Sequence, residues 1–239
     1  MENISYVGLS QQLALQQQMD ITANNLANIN TPGYKSQNVL FVDYLSKPKG
    51  GDDVNQVINH GTYRDLSTGS FSQTYNPLDV AIEGDAYFAV QTANGLRYTR
   101  DGGFGLNSER QIVNKSGYIV TGEGGEPISI PPEATHITIS PEGEVSTQLG
   151  QVGRLKFVAF DRPQNMKREG ENLLDAGGAA EQPVDGARIV QGMLEQSNVN
   201  PVLEMNKMIE VLRNFQSVHR MLQNDHERVR TAIQKLTRV

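Results

Sequence analysis

The sequence predicts an α+β chain, with N- and C-terminal helices paired as a coiled coil and a central, mainly antiparallel β domain between them. Three observations predict it. The first 30 or so of the 239 residues carry apolar side chains at helical spacing and no proline before Pro32. Residues 65–185 break into short alternating runs separated by turn signals. Residues 201–238 carry a sustained apolar heptad.

In the first element, Leu9, Leu13, Met19, Ala23 and Leu26 form a narrow apolar stripe near a period of 3.6. The Asn-rich run from Asn24 to Asn30 lowers helix propensity, and Thr31-Pro32-Gly33 ends the helix, because proline cannot continue the ladder and glycine permits a turn. Residues 36–64 connect this helix, the 1–35 segment, to the body. Their stretch 46–62, around Lys47-Pro48-Lys49-Gly50-Gly51, reads as a loop.

The 65–185 domain holds strand-like runs such as Ala86-Tyr87-Phe88-Ala89-Val90, Leu96-Arg97-Tyr98-Thr99, Ile137-Thr138-Ile139 and Leu155-Lys156-Phe157-Val158. Asn94-Gly95 between two such runs signals a hairpin, since both residues tolerate positive φ. The Gly-, Ala- and acid-rich stretch 164–185 reads as a returning loop. The last segment, 186–239, contains the heptad: Met205, Met208, Leu212, Phe215, His219, Leu222, His226, Val229, Ile233 and Leu236 alternate steps of three and four residues. Pro201 stands near its start, where proline is tolerated. One helix cannot bury either stripe alone, so the two ends are expected to pack together and leave apolar surface for neighbouring subunits.

Composition narrows function by exclusion. The chain has no cysteine and no tryptophan, so disulfides and thiolate metal sites are ruled out, and His60, His136, His219 and His226 are too scattered for a zinc site. The net charge of −6 divides as −1 over residues 1–42, −8 over 43–185 and +3 over 186–239. An acidic body argues against nucleic-acid binding, and the basic last helix alternates its charges as a solvated face does. No run approaches the roughly 20 apolar residues of a membrane span, and Met1-Glu2-Asn3-Ile4-Ser5 does not open a cleavable signal peptide.

No constellation of catalytic residues emerges. The nucleophile elbow, P-loop, His-Glu-x-x-His and Rossmann glycine patterns are all missing from the sequence. His219 and His226 lie about 10 Å apart on a helix, too far to chelate one metal; they read as polar positions that set register, or as a pH-sensitive joint. Asp79, Glu83 and Asp85 around Val80-Ala81-Ile82 read as strand alternation, and Gly122-Glu123-Gly124-Gly125 reads as a plain turn. No cofactor is expected, and a cell-wall-acting enzyme would need a positioned carboxylate or metal that the sequence does not present.

Two long segments carry a resemblance. Ala23-Asn24-Asn25-Leu26-Ala27-Asn28-Ile29-Asn30-Thr31-Pro32-Gly33-Tyr34-Lys35 resembles the signature of flagellar rod, hook and hook-associated proteins. Leu194-Glu195-Gln196-Ser197-Asn198-Val199-Asn200-Pro201-Val202, with Glu204-Met205 and Met208-Ile209-Glu210, is similar to that family's C-terminal signature. Between them, Asn76-Pro77-Leu78-Asp79-Val80-Ala81-Ile82-Glu83-Gly84-Asp85 and Tyr98-Thr99-Arg100-Asp101-Gly102 resemble its central domain. The resemblance implies a non-enzymatic axial subunit whose partners are other rod proteins and itself. It also implies export through the flagellar type III apparatus without signal cleavage, to a periplasm-spanning rod. Nucleic acid, small-molecule substrates and direct membrane insertion have no part in that expectation. The expected assembly positions are the two stripes together with Asn24, Asn25, Asn28 and Asn30, whose amides can fix angles between neighbours.

Overall fold

The computed structural model describes residues 2–46, 54–184 and 186–236. Lys47-Pro48-Lys49-Gly50-Gly51 lies outside the described residues, as does the side chain of Leu236. The elements run α1 (Glu2–Ala27), β1 (Gln37–Ser46), β2 (Val54–Arg64), β3 (Phe71–Gln73), β4 (Val80–Glu83), β5 (Tyr87–Thr92), β6 (Gly95–Thr99), β7 (Gly105–Leu106), β8 (Ile112–Val113) and β9 (Ile119–Val120). They continue through β10 (Ile137–Ile139), β11 (Glu144–Thr147), β12 (Gly150–Arg154), β13 (Phe157–Val158), β14 (Lys167–Arg168), β15 (Leu174–Asp175), β16 (Arg188–Gln191), β17 (Met193–Glu195) and α2 (Pro201–Leu236). The chain is thus α+β, with a helix near each end and a mainly antiparallel β body.

Two compact units result. The first gathers residues 1–28, 36–65 and 199–239; the second gathers 29–35 and 66–198. In the first unit α1 packs on α2 and on an antiparallel ribbon of β1 and β2. Sequence reading placed a loop over 46–62, yet β2 begins at Val54. Asn55, Asn59 and Gly61 are weak strand formers, and pairing to β1 with support from α1 overrides them. A bulge between Leu40 and Phe41 absorbs one extra residue of β2.

The second unit is built on an eight-stranded antiparallel sheet in the order β14-β15-β6-β5-β9-β8-β7, with β13 also pairing to β5. A β10-β11-β12 meander and the pairs β16-β4 and β17-β3 complete it. Strand β5 shows why the sheet forms. Phe88 and Val90 enter one apolar cluster with Val80, Ile82, Ile112, Val120 and Leu155, while Tyr87 and Ala89 enter another with Tyr98, Val158 and Phe160. Its alternation therefore serves two buried faces, and each large side chain so buried contributes about 1.5–3 kcal/mol. The hairpin expected at Asn94-Gly95 is present, but its two-residue turn is Ala93-Asn94. Gly95 pairs with Thr92 and alone takes the positive φ, 103°.

Candidate assembly interface

In the first unit, three contacts fix the direction of the helix pair. Gln12 Nε2 lies 3.1 Å from His219 Nδ1, Asn25 Nδ2 donates to Glu204 Oε2 at 3.1 Å, and a Cβ on Gly8 would fall 2.6 Å from Leu222 Cδ2. As α1 advances α2 recedes, so the pair is antiparallel, and Gly8 permits its close approach. The α1 face that is buried is small or polar: Gly8, Ala14, Thr22 and Asn25. Leu9, Leu13 and Ala23 of the expected stripe are exposed, and Met19 and Leu26 are half-buried.

The same inversion appears on α2. Met208, Phe215, Leu222 and Val229 are half-buried, as heptad positions should be. Their inward partners are Glu204, Val211 and Val218, all buried, with half-buried Asp225 continuing the row. Met205, Leu212, His219, His226 and Ile233 are exposed. One of the two seam rows is thus replaced by the row one residue earlier, which turns the inner face by about 50° from the seam read in the sequence. Spacing fixed the period and left the phase open, and polar Glu204 and Asp225 disguised the true inner row. Large apolar side chains therefore stay outside: Tyr6, Leu9 and Leu13 on α1, Val202, Leu203, Met205, Ile209, Leu212, Met221 and Ile233 on α2.

The asparagines divide by role. Asn25 is 1% exposed; its amide donates to Gln37 O at 2.8 Å as well as to Glu204, and its Oδ1 accepts from Gln37 N at 2.9 Å. It ties α1, β1 and α2 together inside the chain. Asn24 Nδ2 donates to Asp20 O and Asn28 Nδ2 to Asn24 O, so both amides bond back to the preceding turn of their own segment. Asn30 is exposed. His219 stacks on Phe215 with 4° between ring planes, and its Nε2 lies 3.0 Å from Gln223 Nε2.

In the second unit, the segment after α1 is anchored by a buried ion cluster that sequence reading missed. Glu195 is 1% exposed. Its Oε1 accepts from Lys35 Nζ at 2.7 Å and from Gly69 N at 3.1 Å. Its Oε2 accepts from Arg100 Nε at 2.9 Å and lies 2.7 Å from Arg100 Nη2. Two cations meet one anion, and main-chain carbonyls take the excess donors: Ser67 for Lys35, and Ile82, Gly84 and Ala86 for Arg100. Gly33 donates to Glu195 O at 2.8 Å with φ of 66°; a Cβ there would lie 2.4 Å from the Arg100 carbonyl carbon, so the turn requires glycine. Lys35, Arg100 and Glu195 all lie within the resembling segments, but nothing in their spacing shows that they converge.

The acidic trio does not converge. Asp79 accepts from Asn76, Glu83 pairs with Arg188 at 2.7 Å, and Asp85 is exposed. Hydrogen bonding and charge from Arg188 hold Glu83 below the ordinary carboxylate value. Gly122 and Gly125 close a turn through a 2.9 Å backbone hydrogen bond. Among the described residues, no three His, Cys, Asp or Glu side chains are grouped to hold a metal, and no helix is long and apolar enough to cross a membrane.

Helical ends that hold their large apolar residues outward, joined to a β body, are the features of a subunit built to assemble with others, and comparison with known proteins identifies the family. Residues 6–35 match the family described as flagella basal body rod protein, residues 81–147 the flagellar hook protein FlgE/F/G D1 domain, and residues 190–235 the flagellar basal body rod FlgEFG protein C-terminal. The chain is 39% identical to the flagellar basal-body rod protein FlgF of Caulobacter vibrioides over 100% of both chains. It is 36% identical to FlgF of Mesorhizobium japonicum over 91% of this chain and 90% of that one. It is 34% identical to the rod protein FlgG of Bacillus subtilis over 93% and 94%. The chain belongs to the flagellar basal-body rod protein family, a structural family and not an enzymatic one. Within that family it is FlgF-like.

Proposed function

We propose that this subunit belongs to the proximal rod and polymerises through its paired terminal helices, as a coiled coil, to form the torque-transmitting shaft. One observation carries the reading: after α1 and α2 have packed on each other, Tyr6, Leu9, Leu13, Met205, Ile209, Leu212 and Ile233 remain exposed. Burying such side chains between subunits yields about 25 cal/mol per Å² of apolar surface. Narrow helical ends that lack those neighbours offset chain entropy poorly, so their ordering is completed on assembly. Asn24, Asn28 and Asn30 complete the contact with directional amides. The subunit reaches the periplasmic rod through the flagellar type III apparatus without signal cleavage, and its partners are other rod proteins and further copies of itself.

Deleting the gene in its host and imaging purified basal bodies tests this. Rings without a complete rod, with motility restored by the full chain but not by one lacking residues 1–35, are the expected result. Complete rods and hooks in the deletion strain would overturn it.

A further inference from the structure

Four non-glycine residues among those described hold a positive φ: Tyr75 at 61°, Arg110 at 60°, Glu171 at 48° and Asn172 at 58°. This region is unfavourable for any residue with a Cβ, and an aromatic there is unusual. Three of the four are accounted for inside the fold. Arg110 Nε donates to Ile130 O at 3.0 Å, and Arg110 O accepts from Ile130 N at 2.9 Å. Glu171 and Asn172 occupy the tight turn between β14 and β15, where Asn172 Nδ2 also donates to Pro32 O at 2.9 Å.

Tyr75 differs. It is 80% exposed, the most exposed large apolar side chain among the described residues. The turn that presents it is nonetheless rigidly braced. Thr74 N and Tyr75 N both donate to Gly192 O, at 2.8 and 3.2 Å, and Gly192 N donates to Asp79 O at 2.7 Å. Asn76 Nδ2 donates to Asp79 Oδ1 at 2.9 Å, and Gln191 Nε2 to Pro77 O at 2.8 Å. The fold holds an unfavourable backbone fixed and sends the ring into water. Neither feature stabilises the lone chain. A rigid exposed tyrosine, with little freedom left to lose, is what an interface anchor requires.

The same unit carries a cavity of about 430 Å³ lined by the apolar Leu155, Phe157, Pro183 and Val184 and by charged groups that include Arg154 and Glu181, the latter paired through Oε2 with Lys156 at 2.8 Å. Its size lies toward the lower end of small-ligand sites, about 300–1,000 Å³, enough for one aromatic ring. The Arg154 guanidinium is held in the wall by Glu123 at 3.3 Å and Glu144 at 2.8 Å. Glu181 Oε1 already accepts from Tyr98 Oη at 2.7 Å, and a carboxylate has capacity for a further O–H donor.

We propose that Tyr75 seats in this cavity of a second copy of the chain, its ring on the apolar lining and its hydroxyl donating to Glu181. Knob and socket lie on different segments of one chain, so when the contact is not reciprocated between the same two copies it is head-to-tail. Such a contact need not close, and it builds a helical array, which is the form a rod takes. The inference rests on the chain being a rod subunit and is independent of the helix contacts proposed above.

Two experiments on the full chain in its host test it. A benzophenone amino acid at position 75, photolysed in purified basal bodies, is expected to yield a dimer of this chain with the adduct mapped to residues 142–184. An adduct on a different polypeptide, or none while rods are present, overturns the proposal. Second, Tyr75→Gly relieves the backbone and is expected to raise the melting temperature of the isolated chain while lowering complete rods per cell about tenfold; Tyr75→Phe is expected to retain most rods. A Tyr75→Gly chain that melts lower, or that assembles normally, overturns the contact. Normal rods in the Tyr75 series alongside missing rods on truncation of residues 1–35 would reject this contact and leave the helical reading standing.

Discussion

Replacing Glu195 by Gln tests what holds the signature segment to the body. Both carboxylate oxygens are engaged, Oε1 by Lys35 and Gly69 N, Oε2 by Arg100. Glutamine keeps the volume and removes the charge. It also turns an NH2 group toward a cation that can only donate, while Lys35 and Arg100, at 8% and 6% exposure, remain buried without their anion. Removing one partner of a buried ion cluster costs about 3–5 kcal/mol, a large part of the ~5–15 kcal/mol that stabilises a domain. With a urea slope of about 2 kcal/mol per M, the midpoint should fall by about 2 M. The chain has eight tyrosines and no tryptophan, so near-ultraviolet circular dichroism reports the transition. Pairing Glu195→Gln with Lys35→Met should cost less than the sum of the single changes, because the second removes a stranded cation. A midpoint shift under about 0.5 M with an unchanged slope would refute the reasoning and make the cluster incidental.

Two further outcomes follow from the polar ties. Asn25→Ala leaves the Gln37 main chain and Glu204 Oε2 without their amide partner and should cost about 1–3 kcal/mol, read as faster amide exchange in α1 and β1 with the β body's exchange unchanged. Acid should weaken the β body. Glu83 is held below its ordinary value of 4.5 by hydrogen bonding to Arg188, and Glu169 below the same value by hydrogen bonding to Arg97. A lowered folded value stabilises the fold above the unfolded one, and that stabilisation is lost as pH falls through the folded value. Melting temperature should therefore drop as pH descends below about 4.5, and Arg188→Met should flatten that drop.

The sequence was read well where a residue's environment is decided locally. The β runs and the hairpin after Thr92 depend on alternation and turn chemistry, whereas α1 already stops at Ala27, inside the Asn-rich run and ahead of the expected stop at Thr31-Pro32-Gly33. The helical period is legible, and of the two seam rows on α2 the one through Met208, Phe215, Leu222 and Val229 faces inward while the one through Met205, Leu212, His219 and His226 does not. Reading Met205, Leu212 and His219 as the seam assumed that the largest apolar residues face the chain's own partner helix. In this subunit Gly8 brings α1 close to Leu222 of α2, the smaller Ala14, Val211 and Val218 are buried, and Leu9, Leu13, Met205 and Leu212 stay outside. That arrangement leaves the most adhesive surface of the two helices unburied within the chain. The convergence of Lys35, Arg100 and Glu195 was illegible because three strands of chain, remote in sequence, must fold before the ions meet.

Apolar stripes and polar ties do different work in such a subunit. Burial of Leu9 or Ile233 against a neighbour is adhesive and tolerates rotation, because dispersion and the hydrophobic effect have little directional preference. The Asn25–Gln37–Glu204 tie and the Lys35–Glu195–Arg100 cluster are directional, since each works only at hydrogen-bond geometry and each is costly to leave half-made in a dry site. Their positions are informative. The chain passes between its two units at residues 28–29, 35–36, 65–66 and 198–199. Asn25 and Glu204 stand within a few residues of two of these crossings on the helical side, and Lys35 and Glu195 stand as close on the β side. Each tie thus orders its own unit close to the point where the backbone leaves it.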